Sequence, residues 1–506
     1  MPSHLTLEHM SVERSYRTLR SAFVLAVCIT AAGCAVGPDY HSPPSPEVET
    51  YTEKPIPAET ASAPGVAGET QRFSDGGDIP AQWWTLFHSE ALDLLIRRSL
   101  EESPTLAAAE AALRQARENL TARTGTVYYP GLDANLSGGR QKATGASSGL
   151  PDDMDTTFSL FNASVSVSYA LDLFGGGRRE LEALRAQVDY QRYLLEGAHL
   201  TLASNIVTAA IREASLRGQI RANEEIVAAE TKQLEMVERQ SFLGGASLAD
   251  VLAQQAQLAQ TKAALPPLER ELAQTRNLLA VLSGRFPGDA DLPEFRLEEF
   301  QLPRELPVSL PSALVRQRPD IRASEELLHA ASANVGVATA NLYPQITLTA
   351  ELGANSARIE DLFSPSTSFW SIGAGLLQPL FHGGELTAKR RAAIAAFEES
   401  LAQYRETVLQ AFQDVADVLQ ALEADARTLR AQADAEATAR SSLSLTEKQF
   451  HYGAASYLTL LNAQRQHQRA LIILVQAQAT RFADTAALFQ ALGRGWWVEA
   501  GEPVSR

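Results

Sequence analysis

The sequence predicts an α+β membrane protein assembled from two copies of one strand-to-helix unit. Three observations predict it. Residues 158–171 alternate with period two: Phe161, Ala163, Val165, Val167, Tyr169 and Leu171 form an apolar face, and Asn162, Ser164, Ser166, Ser168 and Ala170 form a small, mostly polar one. Directly after Asp172-Leu173-Phe174-Gly175-Gly176-Gly177 the period becomes helical, and no proline interrupts it from 178 to about 242. About 65 residues in a helix span roughly 100 Å, far more than an ordinary globular domain needs. The same order then recurs about two hundred residues later.

Composition narrows the function classes. The chain has 506 residues, 45% hydrophobic and 21% charged, with a formal net charge of −16. So acidic a chain argues against a nucleic-acid surface, but not against a membrane whose protein part is a neutral barrel. After the leader no run reaches the ~18 apolar residues of a transmembrane helix.

The chain opens with a targeting segment. Arg14, Arg17 and Arg20 precede the short apolar run Phe23-Val24-Leu25-Ala26-Val27-Cys28-Ile29, and Ala31-Ala32-Gly33-Cys34 follows. This resembles a bacterial lipoprotein signal, which implies that Cys34 carries lipid and becomes the N-terminus. Ala35 after it fits outer-membrane sorting. Cys28 leaves with the leader, so one cysteine remains and no intrachain disulfide forms. Residues 34–82 are rich in Pro, Ser, Thr and Glu without periodicity and read as an extended linker. Trp83-Trp84-Thr85-Leu86-Phe87 opens the folded part, and Leu92, Leu95, Ile96 and Leu100 mark a short amphipathic helix.

The repeat follows in order. Ser103-Pro104 and Arg318-Pro319 each start a helix, with proline in the first turn where its missing N–H costs nothing. Each helix ends at a Tyr-Pro pair, Tyr129-Pro130 and Tyr343-Pro344, and a strand follows. Strand pairs occupy 128–171 and 343–381, with polar loops at roughly 138–157 and 353–368. The turns from strand to helix are Gly175, Gly176 and Gly177 in the first copy, and Gly383 and Gly384 in the second. Long helices cover 178–243 and 385–451. Phe397, Leu401, Tyr404, Val408, Phe412, Val415, Leu419 and Leu422 make a seam on the second. The helices reverse at tips containing Gly244, Gly245 and Ser247, and Gly453 and Ser456. Return helices open with Val251-Leu252-Ala253-Gln254-Gln255 and Leu460-Leu461-Asn462-Ala463-Gln464, and Pro266-Pro267 should kink the first or start a new segment. The chain divides into a leader (1–33), linker (34–82), first repeat (83–285), irregular connection (286–312), second repeat (313–493) and tail (494–506).

Four strands cannot stand alone in a bilayer, because two open edges would leave backbone groups unpaired in hydrocarbon. The smallest closed barrels have about eight strands. Either the strands lie outside the membrane or several chains build one barrel; the lipid-type N-terminus favours the second.

Nothing supports catalysis. Gly145-Ala146-Ser147-Ser148-Gly149 matches a hydrolase elbow only in pattern, since it sits in a polar loop rather than between a buried strand and a helix. The nine histidines do not pair with cysteine at metal-ligand spacing. The glycine triplet lacks a following Lys and Ser/Thr, so it is not a phosphate loop. Asp414 and Asp417 stand out: three apart, they share one helix face, and the first repeat has no counterpart near Ser204-Asn205-Ile206-Val207.

Cys34-Ala35-Val36-Gly37-Pro38-Asp39-Tyr40, Trp83-Trp84, Leu173-Phe174-Gly175, Arg318-Pro319-Asp320-Ile321, Tyr343-Pro344 and Leu492-Gly493 together resemble the TolC-like outer-membrane efflux proteins of the lipoprotein branch. The resemblance covers essentially the whole chain after the leader. It implies a homotrimer in which four strands from each chain close one twelve-stranded β-barrel, continuous with a long periplasmic α-helical barrel. It implies an exit duct for drugs or small toxic compounds. The implied partners are a periplasmic adaptor, an inner-membrane transporter of the resistance-nodulation-division type and outer-membrane lipid, with no cofactor besides the lipid on Cys34. It puts Asp414 and Asp417, with Tyr404 and Arg405, at a periplasmic gate, where carboxylate rings select cations. The exposed tips are then the adaptor-docking sites. Protein secretion of type I or metal-ion efflux would use the same duct. A poreless periplasmic coiled-coil lipoprotein is the competing class, and it would need no strands.

Overall fold

The computed structural model describes residues 35–76, 79–143, 156–288 and 291–493. The leader, Cys34, the loop holding Gly145–Gly149 and the tail 494–506 lie outside the described residues. The described residues form two compact units, one of residues 35–42, 114–143, 156–189 and 325–403, the other of 43–76, 79–113, 190–288, 291–324 and 404–493. The regular elements are β1 (Arg72–Asp75), α1 (Glu90–Glu102), α2 (Pro104–Tyr128), β2 (Gly131–Ala143), β3 (Thr156–Leu171), α3 (Gly176–Phe242), α4 (Leu248–Ala263), α5 (Leu265–Leu282), β4 (Glu305–Val308), α6 (Pro311–Gln317), α7 (Pro319–Ala340), β5 (Gln345–Ser356), β6 (Ser368–Leu377), α8 (Glu385–His451) and α9 (Tyr457–Leu492).

The first unit holds one antiparallel sheet in the order β2-β3-β5-β6. Alternation fixes its register. Leu132, Val167, Ala350 and Ile372 form one apolar row, and Ala134, Val165, Leu352 and Trp370 form the next. A one-residue slip would move every apolar side chain to the opposite face. That face is uncovered in a single chain: Leu132, Leu352, Trp370 and Ile372 are all exposed. On the opposite face Asp133, Ser166, Glu351 and Ser371 share a row. The strands outrun the expected loops, since β2 continues to Ala143 and β5 to Ser356.

The strand-to-helix corners differ between the copies. Gly175 has φ +78°, while Gly176 and Gly177 are already inside α3. Those two are small for packing: a Cβ on Gly176 would meet Ala340 at 3.1 Å, and one on Gly177 would meet Val127 at 3.0 Å. Asp172 caps α3 by accepting from the Gly177 and Arg178 amides at 3.1 and 2.9 Å. In the second copy Gly383 and Gly384 both take left-handed φ, +58° and +85°, and make the turn themselves.

The second unit corrects the reading of both linkers. Residues 34–82 are not simply extended: β1 pairs in parallel with β4, joining the N-terminal segment to the connection between repeats. Arg481, fully buried on α9, donates to Thr60 Oγ1 at 2.9 Å and to the Glu69 carbonyl at 2.6 Å. Composition alone misses this, because strand pairing and a buried guanidinium come from distant parts of the chain. Residues 286–312, expected to be irregular, contain β4 and the start of α6. The core is aromatic: Trp83 stacks on Phe489 at 5.3 Å, and Phe482 packs between Phe87 and Phe300. Pro266 and Pro267 begin a new helix, so the first return path is split into α4 and α5, whereas α9 is continuous. The seam of α8 is buried at Tyr404, Val408, Ala411, Val415, Leu419 and Leu422, and continues through Ala426, Leu429 and Ala433.

Candidate functional site

The residues singled out by the sequence fall at two levels of the long helices. The first level centres on Arg318. It is the extended residue between α6 and α7, forced there by Pro319, with φ −72° and ψ 125°. Its side chain is 10% exposed. The guanidinium donates to Asp414 at 3.0 Å, to Asp320 at 2.7 Å and to the Ala491 carbonyl near the end of α9 at 2.9 Å. Burial opposes its charge, and the bonds to Asp320 and Asp414 outweigh that, raising its pKa. Gly493 has φ +71°, and any Cβ there would meet Arg318 Cγ at 2.4 Å. The motifs Arg318-Pro319-Asp320-Ile321 and Leu492-Gly493 are therefore two sides of one contact.

The first repeat keeps the contact without the charge. Ser103 ends α1 with φ −69° and ψ 120° before Pro104. Gly284, at φ +74°, presses so closely that a Cβ would meet the Glu102 carbonyl oxygen at 2.5 Å. Asp414 is thus present in one repeat because Arg318 is present in one repeat. The two members of the acidic pair have different surroundings. Asp414 is half-buried in its ion pair, and Gln410 also donates to it at 3.1 Å. Asp417 is exposed, accepts from Gln413 at 3.3 Å, and borders a groove shared with residues 52–56. Tyr404 is buried in the α8 seam, and Arg405 beside it is exposed. Between Asp414 and the helix end at His451 the rise is about 55 Å, so the acidic pair sits well back along α8 from the Gly453 turn.

The second level is at the tips. Gly244 and Gly453 take φ +78° and +76°, where a Cβ is strained, and reverse the chain. Ser247 and Asp250 cap α4 reciprocally, and Ser456 caps α9 through the Thr459 amide. Gly245 closes the turn by donating to Gln240 O at 2.7 Å. Flanking these small residues, Phe242 is 90% exposed, with Leu243 and Tyr452 nearly as open.

Behind the tips lies a buried polar network that sequence reasoning missed. Tyr457 donates to Gln254, which donates to the Glu230 carbonyl at 3.2 Å. Gln257 donates to Glu230 Oε1 at 3.0 Å and accepts from Arg465 at 2.6 Å. Burial, reinforced by the charges of Asp250 and Glu230, pushes the Tyr457 hydroxyl pKa up and keeps it a donor. The network ties α3 and α4 to α9. Its signal was Gln254 in the opening of the first return helix, which reads as ordinary helix until the partners are in place.

Comparison with known proteins fits this architecture. A family model described as outer membrane efflux protein matches residues 95–285 and again 310–494, the two repeats in turn. The chain is 34% identical over 430 residues to the pyoverdine export outer membrane protein OpmQ of Pseudomonas aeruginosa, covering 84% of this chain and 89% of that one. It is 29% identical over 489 residues to the probable efflux pump outer membrane protein TtgC of Pseudomonas putida, covering 95% and 97%. Among solved structures, the outer-membrane channel OprN superposes with TM-score 0.81 at 26% identity, covering 92% of this chain and all of that one. The outer membrane protein VceC of Vibrio cholerae superposes with TM-score 0.75 at 26% identity, covering 83% and all of that chain. The expected fold class, a trimeric β-barrel fed by four strands per chain and continuous with a helical barrel, is borne out. The duct lies in the outer membrane and is the exit of an efflux pump. The chain belongs to the outer membrane efflux protein family.

Proposed function

We propose that this duct is the passive outer component of a tripartite pump for small toxic organic compounds, anchored by lipid on Cys34 and driven by an inner-membrane transporter of the resistance-nodulation-division type. The observation that carries the reading is the pairing of an exposed apolar sheet face with two long helix hairpins in each chain. The sheet needs lipid and neighbouring chains, and the hairpins offer their tips to a partner. Relatives named for pyoverdine export, toluene efflux and antibiotic efflux support small organic cargo, and a relative named as a cation efflux system keeps metal ions as a second cargo class. The lipid anchor has support from the start of the described chain. The Val36 amide donates to the Phe174 carbonyl at 3.0 Å, so the residues next to Cys34 lie at the strand-to-helix corner, the height at which an acyl chain enters a bilayer.

The tips dock the periplasmic adaptor. Their glycines and serines allow close approach, and Phe242, Leu243 and Tyr452 offer apolar surface for a partner helix. The gate draws on Asp417 and Arg405, which are exposed, whereas Asp414 and Tyr404 act from behind as its support. Deleting the gene and complementing it tests the function. Complementation by wild type should restore resistance to hydrophobic drugs and dyes, and a strain equally resistant with and without the gene would overturn the cargo class. Globomycin treatment or Cys34→Ala should leave an unprocessed or unlipidated precursor; normal lipid labelling of C34A would overturn the anchor.

A further inference from the structure

The segment that follows the anchor position is strapped to the first unit. Residues 36–42 have no regular secondary structure, yet they are held at several points. Arg179 on α3 donates to Asp39 at 2.6 Å and to the Val36 carbonyl at 3.4 Å. Gly37, at φ +104°, presses on α7 so tightly that a Cβ would meet Gly336 Cα at 2.4 Å. Ser42 donates to Glu325. The Tyr40 ring stacks on the His329 imidazole with centroids 4.3 Å apart and planes at 14°.

His329 is the member of this set whose bonds depend on a proton near neutral pH. Its Nε2 lies 3.1 Å from Glu182 Oε1 and its Nδ1 lies 3.3 Å from Glu326 Oε2. A neutral imidazole carries one N–H, so it can satisfy one of two carboxylates, whereas imidazolium donates to both. The cation also gains from the face of the Tyr40 ring. We propose that His329 is a proton-dependent clasp that fastens residues 36–42 to α3 and α7. Deprotonation leaves one ring nitrogen lone pair facing a carboxylate and weakens the stack, and the strap loosens.

The charged groups facing the clasp are few. Arg179 and Glu182 come from α3, Glu325 and Glu326 from α7, and Asp39 and His41 from the strap. Glu326 and Glu182 raise the His329 pKa against the opposing effect of burial. A raised histidine pKa means that its contribution is complete below about 6.5 and is lost as pH climbs through the raised value. Burial opposes the Arg179 charge, but its bonds to Asp39 and Glu182 outweigh that and raise its pKa, so it stays a cation across that window; His41 is the strap's own histidine.

Hydrogen exchange of the full-length protein in detergent reads the clasp directly. After correction for intrinsic exchange, protection of residues 36–42 in wild type should fall several-fold between pH 5.5 and 9, while β3 and β5 stay unchanged. His329→Gln keeps one hydrogen bond but cannot gain a proton, so its strap should show low protection at both pH values. His41→Gln should keep the wild-type dependence. A flat wild-type profile overturns the proposal without any variant. A dependence that survives in H329Q, or vanishes in H41Q, overturns it as well.

Discussion

Arg318 bonds Asp414 across 3.0 Å, joining the start of α7 to the middle of α8. The pair accounts for the asymmetry between the repeats: a single-copy cation meets a single-copy anion. Arg318→Ala leaves Asp414 and Asp320 without their cation and should cost about 2–3 kcal/mol, a range reduced for the exposure of both carboxylates. Thermal unfolding followed by helical circular dichroism measures it. Asp414→Asn should destabilise and leave cation block of single channels near wild type. Asp417→Asn should do the reverse, and equal effects on both measures would dissolve the distinction.

Glycines of similar φ should differ in tolerance. Gly493→Ala combines a left-handed backbone with a collision against Arg318 and should cost about 2–3 kcal/mol. Gly244→Ala has the same strain with open space around it and should cost about 1 kcal/mol. Melting temperatures of the two variants give the comparison.

The polar row of the sheet carries Asp133 and Glu351 at one level. Repeated in three chains, these carboxylates favour cations over anions in the barrel. Asp133→Asn with Glu351→Gln should lower cation selectivity, read as a reversal-potential shift toward zero in a salt gradient.

At the tips, Phe242→Glu replaces exposed apolar surface with charge. It should abolish export in cells while trimer yield and heat stability stay at wild-type levels. The double variant Tyr457→Phe with Arg465→Ala should instead loosen the network with Gln254 and Gln257 and raise passive conductance.

Asp425 on α8 lies beside Asp484 and Arg481, and burial followed by Asp484 pushes its pKa up to about 7. A carboxylate with a raised folded-state pKa binds its proton more tightly when folded, so stability falls as pH rises from about 4 to about 7 and then levels. Glu196, raised to about 7 by burial, acts in the same direction. Asp425→Asn should flatten part of this decline in unfolding midpoints measured from pH 4 to 8.

Much of the fold was legible in local pattern. Period two at 161–171, the shift to helical period after Gly175, and proline in the first turn of α2 and α7 each act within a few residues, so the sequence displays them. Repetition then supplied the duplication, and the second long helix was read with its observed bounds, 385–451. The parallel β1–β4 pairing was not legible, because Arg72 and Glu305 stand on either side of the whole first repeat. The role of Asp414 was also hidden: helix spacing shows which residues share a face, but the partner of that face, Arg318, comes from a different helix junction. Local periodicity specifies elements because it depends on neighbours along the chain. Charge pairing, buried polar networks and the His329 clasp depend on neighbours in space, and these the tertiary structure alone decided.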